Sequence, residues 1–569
     1  MTFADTSDPL LPAAGPGAQG ALGLYRAADF TITTGAAPGA ASLSQALWYF
    51  RRETIAVPVP GIPAAGFGRG AMATGDLRGS LASCSDSPTL DFPPLVWVAE
   101  PSVVVHADIA RDGASLATAN GVLPLRLVPK IALNRAWFND ASAAFFARRV
   151  VKVRGHRDGG TLVVRTLWPE DFRFAGIERA VPLPAAASPA LALRALLRTL
   201  PAGGARSPYA VSTLWCRPGC DARLAGRAAL GFILNGAQGD DDEAQGGHFA
   251  LVTGRVAEDG AIGDWLVNNF YALDSESEKG TIAAPVPLDN YLADLNAGQN
   301  WYRPSCMLVA VLASPRAATL AQSGLARVYD DFYRHRIVYD HPTMNCAGIT
   351  VDALRALGWR IPARGPTNRA LAWATLPFVA LRDRSLAKGL DAFDYLNEDQ
   401  TRLLPAAALE EIFASLLALL EGGAERAAAG TLEQMLGADV DALALLHFPQ
   451  FPSSRAWGAD AAVSIREIHD RLPKDRRRLK IIPVPPRPFP PALREPGLRP
   501  PPLRGSEIAA FVFAAISIVG IPWIFRRLWQ RRRSVMPRDG TEGRSGGEAS
   551  GPRRRREMGA PSAPSSDPR

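Results

Sequence analysis

This chain has few cysteines and few lysines, and its first residues contain no continuous apolar run. Five cysteines in 569 residues are too few to hold a fold together with disulfides. The first residues, MTFADTSDPLLPAAGPGAQG, carry no basic cluster and no continuous apolar run. We therefore expect a flexible N-terminus over 1–21 and no secretory signal peptide. Only six lysines stand beside the many arginines, a bias that indicates genomic base composition more than function.

The net positive charge is also small outside the C-terminal tail. The net charge is +8, and from Arg526 onward there are twelve arginines against five acidic residues, so the rest of the chain is close to neutral. A nucleic-acid-binding body would carry a basic face of its own. We therefore expect no nucleic-acid partner, and we predict that residues 526–569 form a basic, disordered tail.

The pattern of apolar residues predicts an α+β protein of several parts. From 22 to 190, short β-branched runs between turn residues predict a β-rich domain, with a hairpin turn at DGG, 158–160. From 205 to 385, the strand patterns GGHFALVTGRV, DWLVNNFYAL and SCMLVAVLA alternate with helices, which predicts an α+β domain. The apolar periodicity of EEIFASLLALLEGG predicts a helical region over 390–470, and proline dominates a linker over 473–504.

One segment near the C-terminus predicts a membrane span. Residues 508–525, IAAFVFAAISIVGIPWIF, contain no charge over eighteen residues, the lower limit for a transmembrane helix. Trp523 and the following RRLWQRRR are typical interfacial and basic anchors. We expect a single-pass protein whose partner is the lipid bilayer. Its orientation stays open, because both flanks of the span carry arginines and no export signal precedes the body.

The sequence predicts no metal and no cofactor. Cys216 and Cys220, in WCRPGC, have a spacing seen in zinc sites, but no second pair follows them. No glycine-rich phosphate loop precedes a helix, and neither an H-E-x-x-H zinc motif nor a G-x-S-x-G nucleophile elbow occurs.

Cys346 is the strongest candidate for a nucleophile. It lies in YDHPTMNCAGITVDALRALGW, 339–359, where a loop changes into a helical pattern. Asn345 is a favourable N-cap residue, which places Cys346 in the first helical turn. Backbone N–H groups and the helix dipole there should lower the thiol pKa below about 8.5, and the Cys346 N–H should help to hold an oxyanion. The alternative is structural, because Cys346 also begins an apolar stripe that continues at Ile349 and Ala353.

A cysteine nucleophile needs a base and a group that orients it. His248 begins a strand directly after two glycines and is the preferred base; His335 and His341 are alternatives. In the next strand, Asn268 and Asn269 are candidates for orienting the imidazole. Strand parity favours Asn268, and a register change of one residue selects Asn269. Asp264 is a weaker candidate for the same role, and Tyr339 could hydrogen-bond the thiolate.

The order of strand histidine, strand amide and helix-capping cysteine resembles the circularly permuted NlpC/P60 branch of papain-like cysteine hydrolases, which includes the lecithin retinol acyltransferase-like proteins. The similar pieces are GGHFALVTG and NCAGITVDALRALG, within residues 205–385. The resemblance implies a papain-like α+β domain, with Cys346 as nucleophile, His248 as base and Asn268 or Asn269 as the orienting residue. The chain departs from the family at Ala347-Gly348, where a small hydroxyl residue often stands.

Together these features predict a membrane-anchored thiol hydrolase of the amidase or peptidase type. Cys346 would attack an amide or ester carbonyl, form a thioester and release it to water. Two alternatives stay open. One is a lipid-directed acyltransferase or phospholipase of the same fold. The other is an inert membrane-tethered scaffold protein whose β-rich domain and Pro-rich stretch recruit partners.

Overall fold

The described residues of the computed structural model all belong to one structural unit, Met1–Ala510. They are 21–26, 30–34, 54–58, 96–99, 102–128, 138–199, 208–220, 223–236, 246–272, 281–333, 339–422, 430–453, 460–472 and 474–475. The predicted membrane span 508–525, the basic tail and most of the Pro-rich linker lie outside these ranges. Within them, no helix is long and apolar enough to cross a bilayer.

The described strands pair into four sheets. In chain order they are β1 (Ala21–Leu22), β2 (Tyr25–Arg26), β3 (Phe30–Thr34), β4 (Thr54–Pro58), β5 (Val96–Ala99), β6 (Ser102–Ile109), β7 (Ser115–Thr118), β8 (Gly121–Leu127), β9 (Val150–Asp158), β10 (Thr161–Pro169), β11 (Ala210–Cys216), β12 (Ala228–Asn235), β13 (His248–Arg255), β14 (Leu266–Ala272), β15 (Thr281–Pro287), β16 (Ser305–Leu312) and β17 (Val440–Phe448).

Helices are concentrated in the second half of the described chain. They are α1 (Asp140–Phe146), α2 (Pro189–Thr199), α3 (Leu288–Ala293), α4 (Arg316–Tyr333), α5 (Cys346–Ala356), α6 (Arg369–Arg382), α7 (Leu386–Asn397), α8 (Gln400–Leu403), α9 (Pro405–Leu420), α10 (Thr431–Asp439) and α11 (Ile465–Arg471), with a 3-10 turn at Gln299–Trp301. The protein is therefore α+β, as the sequence predicts.

Five strands of the β-rich part close into a small barrel in the order β10-β8-β7-β6-β9. One of its tight connections is the β9–β10 hairpin, in which Asp158 pairs with Thr161. Gly159 in this turn has a φ of 61°, a conformation that favours glycine, so the predicted hairpin is confirmed. Val151 and Val153 of β9 are fully buried and help to fill the core.

A seven-stranded antiparallel sheet follows the barrel, in the order β11-β17-β16-β12-β13-β14-β15. We call this sheet and the helices packed on it the second body. The middle strands β12 and β16 are buried along their whole length. Helices α4, α5 and α9 pack on the central strands, and Trp168 at the end of the barrel contacts Phe448 of β17, with ring centroids 6.3 Å apart. Strands covered in this way read as continuous apolar runs.

The prediction of a helical region over 390–470 is wrong in part. β17, Val440–Phe448, lies inside that range and pairs with β11 and β16, so it completes the sheet that was assigned to 205–385. The segment VDALALLHF is short and almost wholly apolar, and periodicity cannot distinguish a buried strand from a buried helix in such a run. The body that carries the candidate site therefore extends well past residue 385.

A buried cluster of four charges joins the barrel to the second body. Lys152 and Arg154 of β9 face Asp264, just before β14, and Asp289 of α3. Lys152 Nζ lies 2.6 Å from an Asp264 oxygen and 2.7 Å from an Asp289 oxygen, and Arg154 Nε donates to both Asp289 oxygens at 3.0 Å. Arg154 and Asp289 are fully buried. Because each charge is paired, the cluster fixes how β9 docks on α3.

Candidate functional site

Helix α5 begins at Cys346, and a well-satisfied N-cap fixes its start. The Asn345 side-chain oxygen accepts from the Gly348 N–H at 2.9 Å, as predicted. The Asn345 amide nitrogen donates to the His341 carbonyl at 2.8 Å and to the Leu403 carbonyl at 3.0 Å. The cap is therefore tied to the approach loop and to helix α8, so Cys346 is held in one position.

The Cys346 thiol is 5% exposed and receives polar contacts in an otherwise apolar core. Backbone N–H groups of Phe249 and Ala347 and the hydroxyl of Tyr339 form hydrogen bonds to the sulfur. The Cys346 N–H itself donates to the Tyr339 oxygen at 3.2 Å. The predicted contact between Tyr339 and the thiol is confirmed. The predicted oxyanion donor, the Cys346 N–H, is already engaged by the same phenol.

The thiol pKa differs from the sequence-based prediction. Burial raises the pKa of Cys346, and the hydrogen bonds from Phe249, Tyr339 and Ala347 together with the positive charge of Arg303 offset only part of this rise. The predicted lowering by the helix N-terminus is therefore wrong in its net direction. The sequence shows the helix end but not how far the thiol is removed from water, and desolvation outweighs the stabilisation of the thiolate.

His248 begins β13, and neighbouring residues restrict its side chain. The preceding Gly247 has a φ of 76°, and a Cβ there would lie 2.4 Å from the Asn235 carbonyl oxygen, so glycine is required. His248 pairs with Asn235 of β12 and is 3% exposed. The rings of Tyr271 and Tyr291 flank the imidazole, with centroids 5.7 Å and 6.2 Å away. The side chain therefore has little freedom to turn.

The imidazole is oriented by Asn269. Nε2 of His248 lies 3.0 Å from Oδ1 of Asn269, and because that oxygen can only accept, Nε2 carries the proton and Nδ1 keeps its lone pair. Burial lowers the pKa of His248 to about 3, the positive charge of Arg303 adds to the shift, and the bond to Asn269 opposes it. At neutral pH the ring is uncharged and Nδ1 can accept a proton.

Asn268, which strand parity favours, lies on the opposite face of β14. The register pairs Leu251 with Asn268, so Asn268 points away from the face of His248. Its oxygen accepts from Gln322 at 2.9 Å and from the Tyr329 hydroxyl at 3.0 Å, both on α4. The preference for Asn268 is therefore wrong, since the register differs by one residue. Asn268 holds α4 against the sheet.

Other candidates for the base or the orienting group lie elsewhere. Asp264 belongs to the charge cluster with Lys152 and Arg154, so the prediction that it could orient His248 is wrong. His341 stacks edge-on against Tyr339, with ring centroids 5.2 Å apart, and so contacts the site from its outer side. His335 lies outside the described residues.

The thiol and the imidazole share neighbours. Phe249, whose N–H reaches the sulfur, directly follows His248. Burial raises the pKa of Tyr291, and the negative charge of a Cys346 thiolate raises it further, so this ring neighbour of His248 is also close to the sulfur. The hydrogen bonds of the described residues include none between Cys346 and His248. In enzymes such a bond often closes only when substrate is bound.

Sequence reasoning missed Tyr291 and Arg303. The Tyr291 hydroxyl donates to Asn235 Oδ1, and the Asn235 amide donates to Ser305 at 2.7 Å. Arg303 is 4% exposed and donates to the carbonyl of Gly236, next to Asn235, at 3.3 Å. The available signal was a polar segment, QNWYR, directly before an apolar strand. Buried polar residues need a reason to be there.

The Cys216–Cys220 pair and a cavity near Trp265 do not contribute to this site. The sulfurs of Cys216 and Cys220 are 3.3 Å apart as free thiols on β11 and the following turn, and no group of three or more potential metal ligands occurs among the described residues. A cavity of about 350 Å³ is lined by residues that include Gly226, Arg255 and Trp265. It lies at the end of β13 opposite to His248, so we assign it no role in the chemistry.

Comparisons of this chain with protein-family models, with curated proteins and with solved structures gave no match. The functional argument therefore depends on the residues and their geometry.

Proposed function

We propose that this chain is a thiol-dependent hydrolase of the amidase or peptidase type, held at a membrane by residues 508–525. One observation carries the proposal. A buried thiol at a capped helix start accepts an N–H from Phe249, and the adjacent His248 is oriented by Asn269 so that Nδ1 is its free basic atom. A nucleophile, a base and an orienting group are the three parts that cysteine hydrolases need. The resemblance to permuted NlpC/P60 proteins supports the same roles.

The mechanism starts from neutral groups. Because burial raises the thiol pKa of Cys346 and lowers that of His248, a thiolate–imidazolium pair does not form in advance. As the sulfur attacks the substrate carbonyl, its proton passes to Nδ1 of His248. The resulting imidazolium then protonates the leaving amine or alcohol and leaves a thioester on Cys346. Water attacks the thioester, with His248 again as base, and frees the thiol.

Tyr339 is a suitable donor to the developing oxyanion. Burial raises its pKa well above the ordinary value, so the phenol keeps its proton. Its hydroxyl already contacts both the N–H and the sulfur of Cys346. A carbonyl oxygen that approaches the sulfur can take over the Tyr339 proton and the Cys346 N–H together. In this arrangement both donors act only after substrate arrives.

The test of the proposed function is loss of turnover with Cys346→Ser in the full chain. Peptide amides, glycerolipid esters and simple thioesters serve as substrates. We expect turnover of at least one class, and a fall of about 1,000-fold or more in Cys346→Ser. Cys220→Ser is the matched control, because Cys220 is a free thiol that is far from Cys346 in the sequence. This variant should keep full activity. Equal turnover by Cys346→Ser would refute the assignment of the nucleophile.

The class of substrate that the protein turns over distinguishes the three functional hypotheses. Amide hydrolysis supports the peptidase hypothesis. Ester hydrolysis or acyl transfer that needs lipid supports the acyltransferase hypothesis. Absence of turnover with all classes, together with normal folding, supports a scaffold. The membrane segment is compatible with each reading, because tethering concentrates a protein near lipid and near other membrane proteins alike.

A second prediction concerns Asn269. Replacing it with leucine removes the acceptor for Nε2 of His248, and the imidazole then loses its fixed tautomer and orientation. We expect kcat to fall by about 100-fold, within the range that a positioned base contributes, while KM changes little. Asn268→Leu is the control, since it should lower thermal stability through lost bonds to α4 but leave kcat of the folded protein unchanged. The opposite ranking of the two variants would show that the wrong amide was assigned.

A further inference from the structure

Arg303 is a buried cation that has no counter-ion among the described residues. It lies between the 3-10 turn Gln299–Trp301 and β16, and it is 4% exposed. Its Nη1 donates to the Gly236 carbonyl at 3.3 Å, and its Nε has no hydrogen-bond partner among the residues that the structure describes. No carboxylate among the described residues forms an ion pair with it. An arginine stays charged in proteins, and a buried charge is costly unless it is paired, so this arrangement needs a functional reason.

The charge of Arg303 acts on the reactive groups. Alongside the larger effect of burial, it acts to lower the pKa of His248, of Tyr291 and of the Cys346 thiol. The geometry agrees, because Gly236, whose carbonyl accepts from Arg303, directly follows Asn235, and Asn235 pairs with His248 and accepts from the Tyr291 hydroxyl. A ligand that reaches the sulfur enters the field of Arg303, in surroundings where a charge is poorly screened by solvent.

Further unpartnered polar atoms precede Arg303 in the same turn of chain. Both side-chain polar atoms of Asn300 and Oε1 of Gln299 are buried and have no hydrogen-bond partner in the described parts of the chain. Asn300 is 0% exposed and Gln299 is 8% exposed. Buried polar groups in proteins are normally satisfied, so several exceptions in one short segment can receive hydrogen bonds from a bound ligand. This segment thus contains an amide donor and a guanidinium fork, and both kinds of group bind a planar carboxylate.

We propose that Arg303 is an anion-binding subsite beside Cys346, and that the acyl group of the substrate carries a carboxylate close to the scissile carbonyl. The substrate part of this inference rests on the proposed function; the subsite itself does not. Arg303 pairs with the carboxylate and thereby places the neighbouring carbonyl against the sulfur. The subsite selects acidic acyl groups, because a neutral acyl group would leave the buried guanidinium unpaired.

The subsite can be tested without turnover by two alkylating reagents of nearly equal size. Iodoacetate carries a carboxylate and iodoacetamide is neutral, and both react with the same thiolate, so the ratio of their rates does not depend on the thiol pKa. The rates at Cys346 are measured in the full chain by mass spectrometry. We expect the iodoacetate-to-iodoacetamide ratio at Cys346 to exceed that of N-acetylcysteine amide by about tenfold or more.

Variants of Arg303 give the decisive comparison. Arg303→Gln should reduce the ratio to that of N-acetylcysteine amide, and Arg303→Lys, which keeps the charge, should retain most of the preference. Arg466→Gln is the control, because Arg466 is 92% exposed and should leave the ratio unchanged. A variant with serine throughout 240–243 (DDDE) should also leave it unchanged; a large rise there would mean that the chain supplies its own counter-ion and would overturn the inference.

The wild-type ratio alone keeps the inference falsifiable if Arg303→Gln fails to fold. A ratio no higher than that of N-acetylcysteine amide overturns the subsite, whatever hydrolysis shows. A raised ratio without hydrolysis of any substrate leaves the subsite standing and contradicts the proposed function.

Once hydrolysis is established, a succinyl thioester should be cleaved with a kcat/KM about 100-fold higher than that of a butyryl thioester, and Arg303→Gln should abolish the difference. A stronger preference for a phosphonate-bearing acyl group would overturn the assignment of a carboxylate.

Discussion

Cys346 should be alkylated by iodoacetamide about ten times faster for each unit of pH between 7 and 9, with no plateau at neutral pH. Only the thiolate reacts, and burial raises the pKa of this thiol above its ordinary value. A preformed thiolate–imidazolium pair would instead react rapidly from pH 5 upward with little further change. The profile therefore distinguishes a thiol that ionises during the reaction from one that is already ionised.

Protonation of His248 should not change this dependence of the alkylation rate on pH. Burial lowers its pKa to about 3, so the ring stays neutral from pH 5 to pH 9 and the change in rate over that range reports the small thiolate fraction of Cys346. The measurement is the rate constant at Cys346 by mass spectrometry, scaled to its value at pH 9, because limited access to a buried sulfur changes the absolute rate but not its dependence on pH. A flat profile between pH 5 and pH 8 would contradict the neutral-pair mechanism.

Asp289→Ala should lower the free energy of unfolding by about 3–5 kcal/mol, the largest single effect that we expect on stability. Asp289 is fully buried and pairs with both Lys152 and Arg154. Burial acts to raise its pKa, yet the charges of Arg154 and Lys152 hold the pKa below its ordinary value. Without this carboxylate, two buried cations share Asp264 alone, and the contact between the barrel and α3 weakens.

Denaturant unfolding of the full chain measures this effect. Asp289→Asn keeps the volume and should lose most of the same stability, which separates the charge from the cavity. Asp470→Ala is the matched control, because its partner Arg466 lies 3.8 Å away and both side chains are mostly exposed, so no measurable change is expected. A small effect of Asp289→Ala would mean that the barrel and the second body do not depend on this cluster.

Local sequence signals predicted the elements of the site well. Asn345 before an apolar periodic run correctly indicated a helix that begins at Cys346, because capping depends only on residues within one turn. GGH before an alternating run correctly indicated that β13 begins at His248, since Gly247 adopts a positive φ there. The β9–β10 hairpin followed from its two glycines. Each of these features is determined by fewer than ten neighbouring residues.

Longer-range features were predicted less well. Parity along β14 favoured Asn268, but the pairing of Leu251 with Asn268 turns Asn269 toward the imidazole. The apolar segment of β17 was taken as part of a helical region, although it lies in the sheet between β11 and β16. Register and strand order depend on partners that are far away in the chain, and no local pattern contains that information.

The sequence by itself determined the α+β class, the positions of the capped helix and of the strand that begins at His248, and the concentration of basic charge in the tail. Only the tertiary structure decided which asparagine orients the imidazole, how deeply the thiol is buried, and that the buried Arg303 has no counter-ion within the part of the chain that the structure describes. Local backbone preferences depend on adjacent residues. Desolvation and electrostatic fields arise from groups that meet only when the chain folds, and here they reverse the direction of the Cys346 pKa shift.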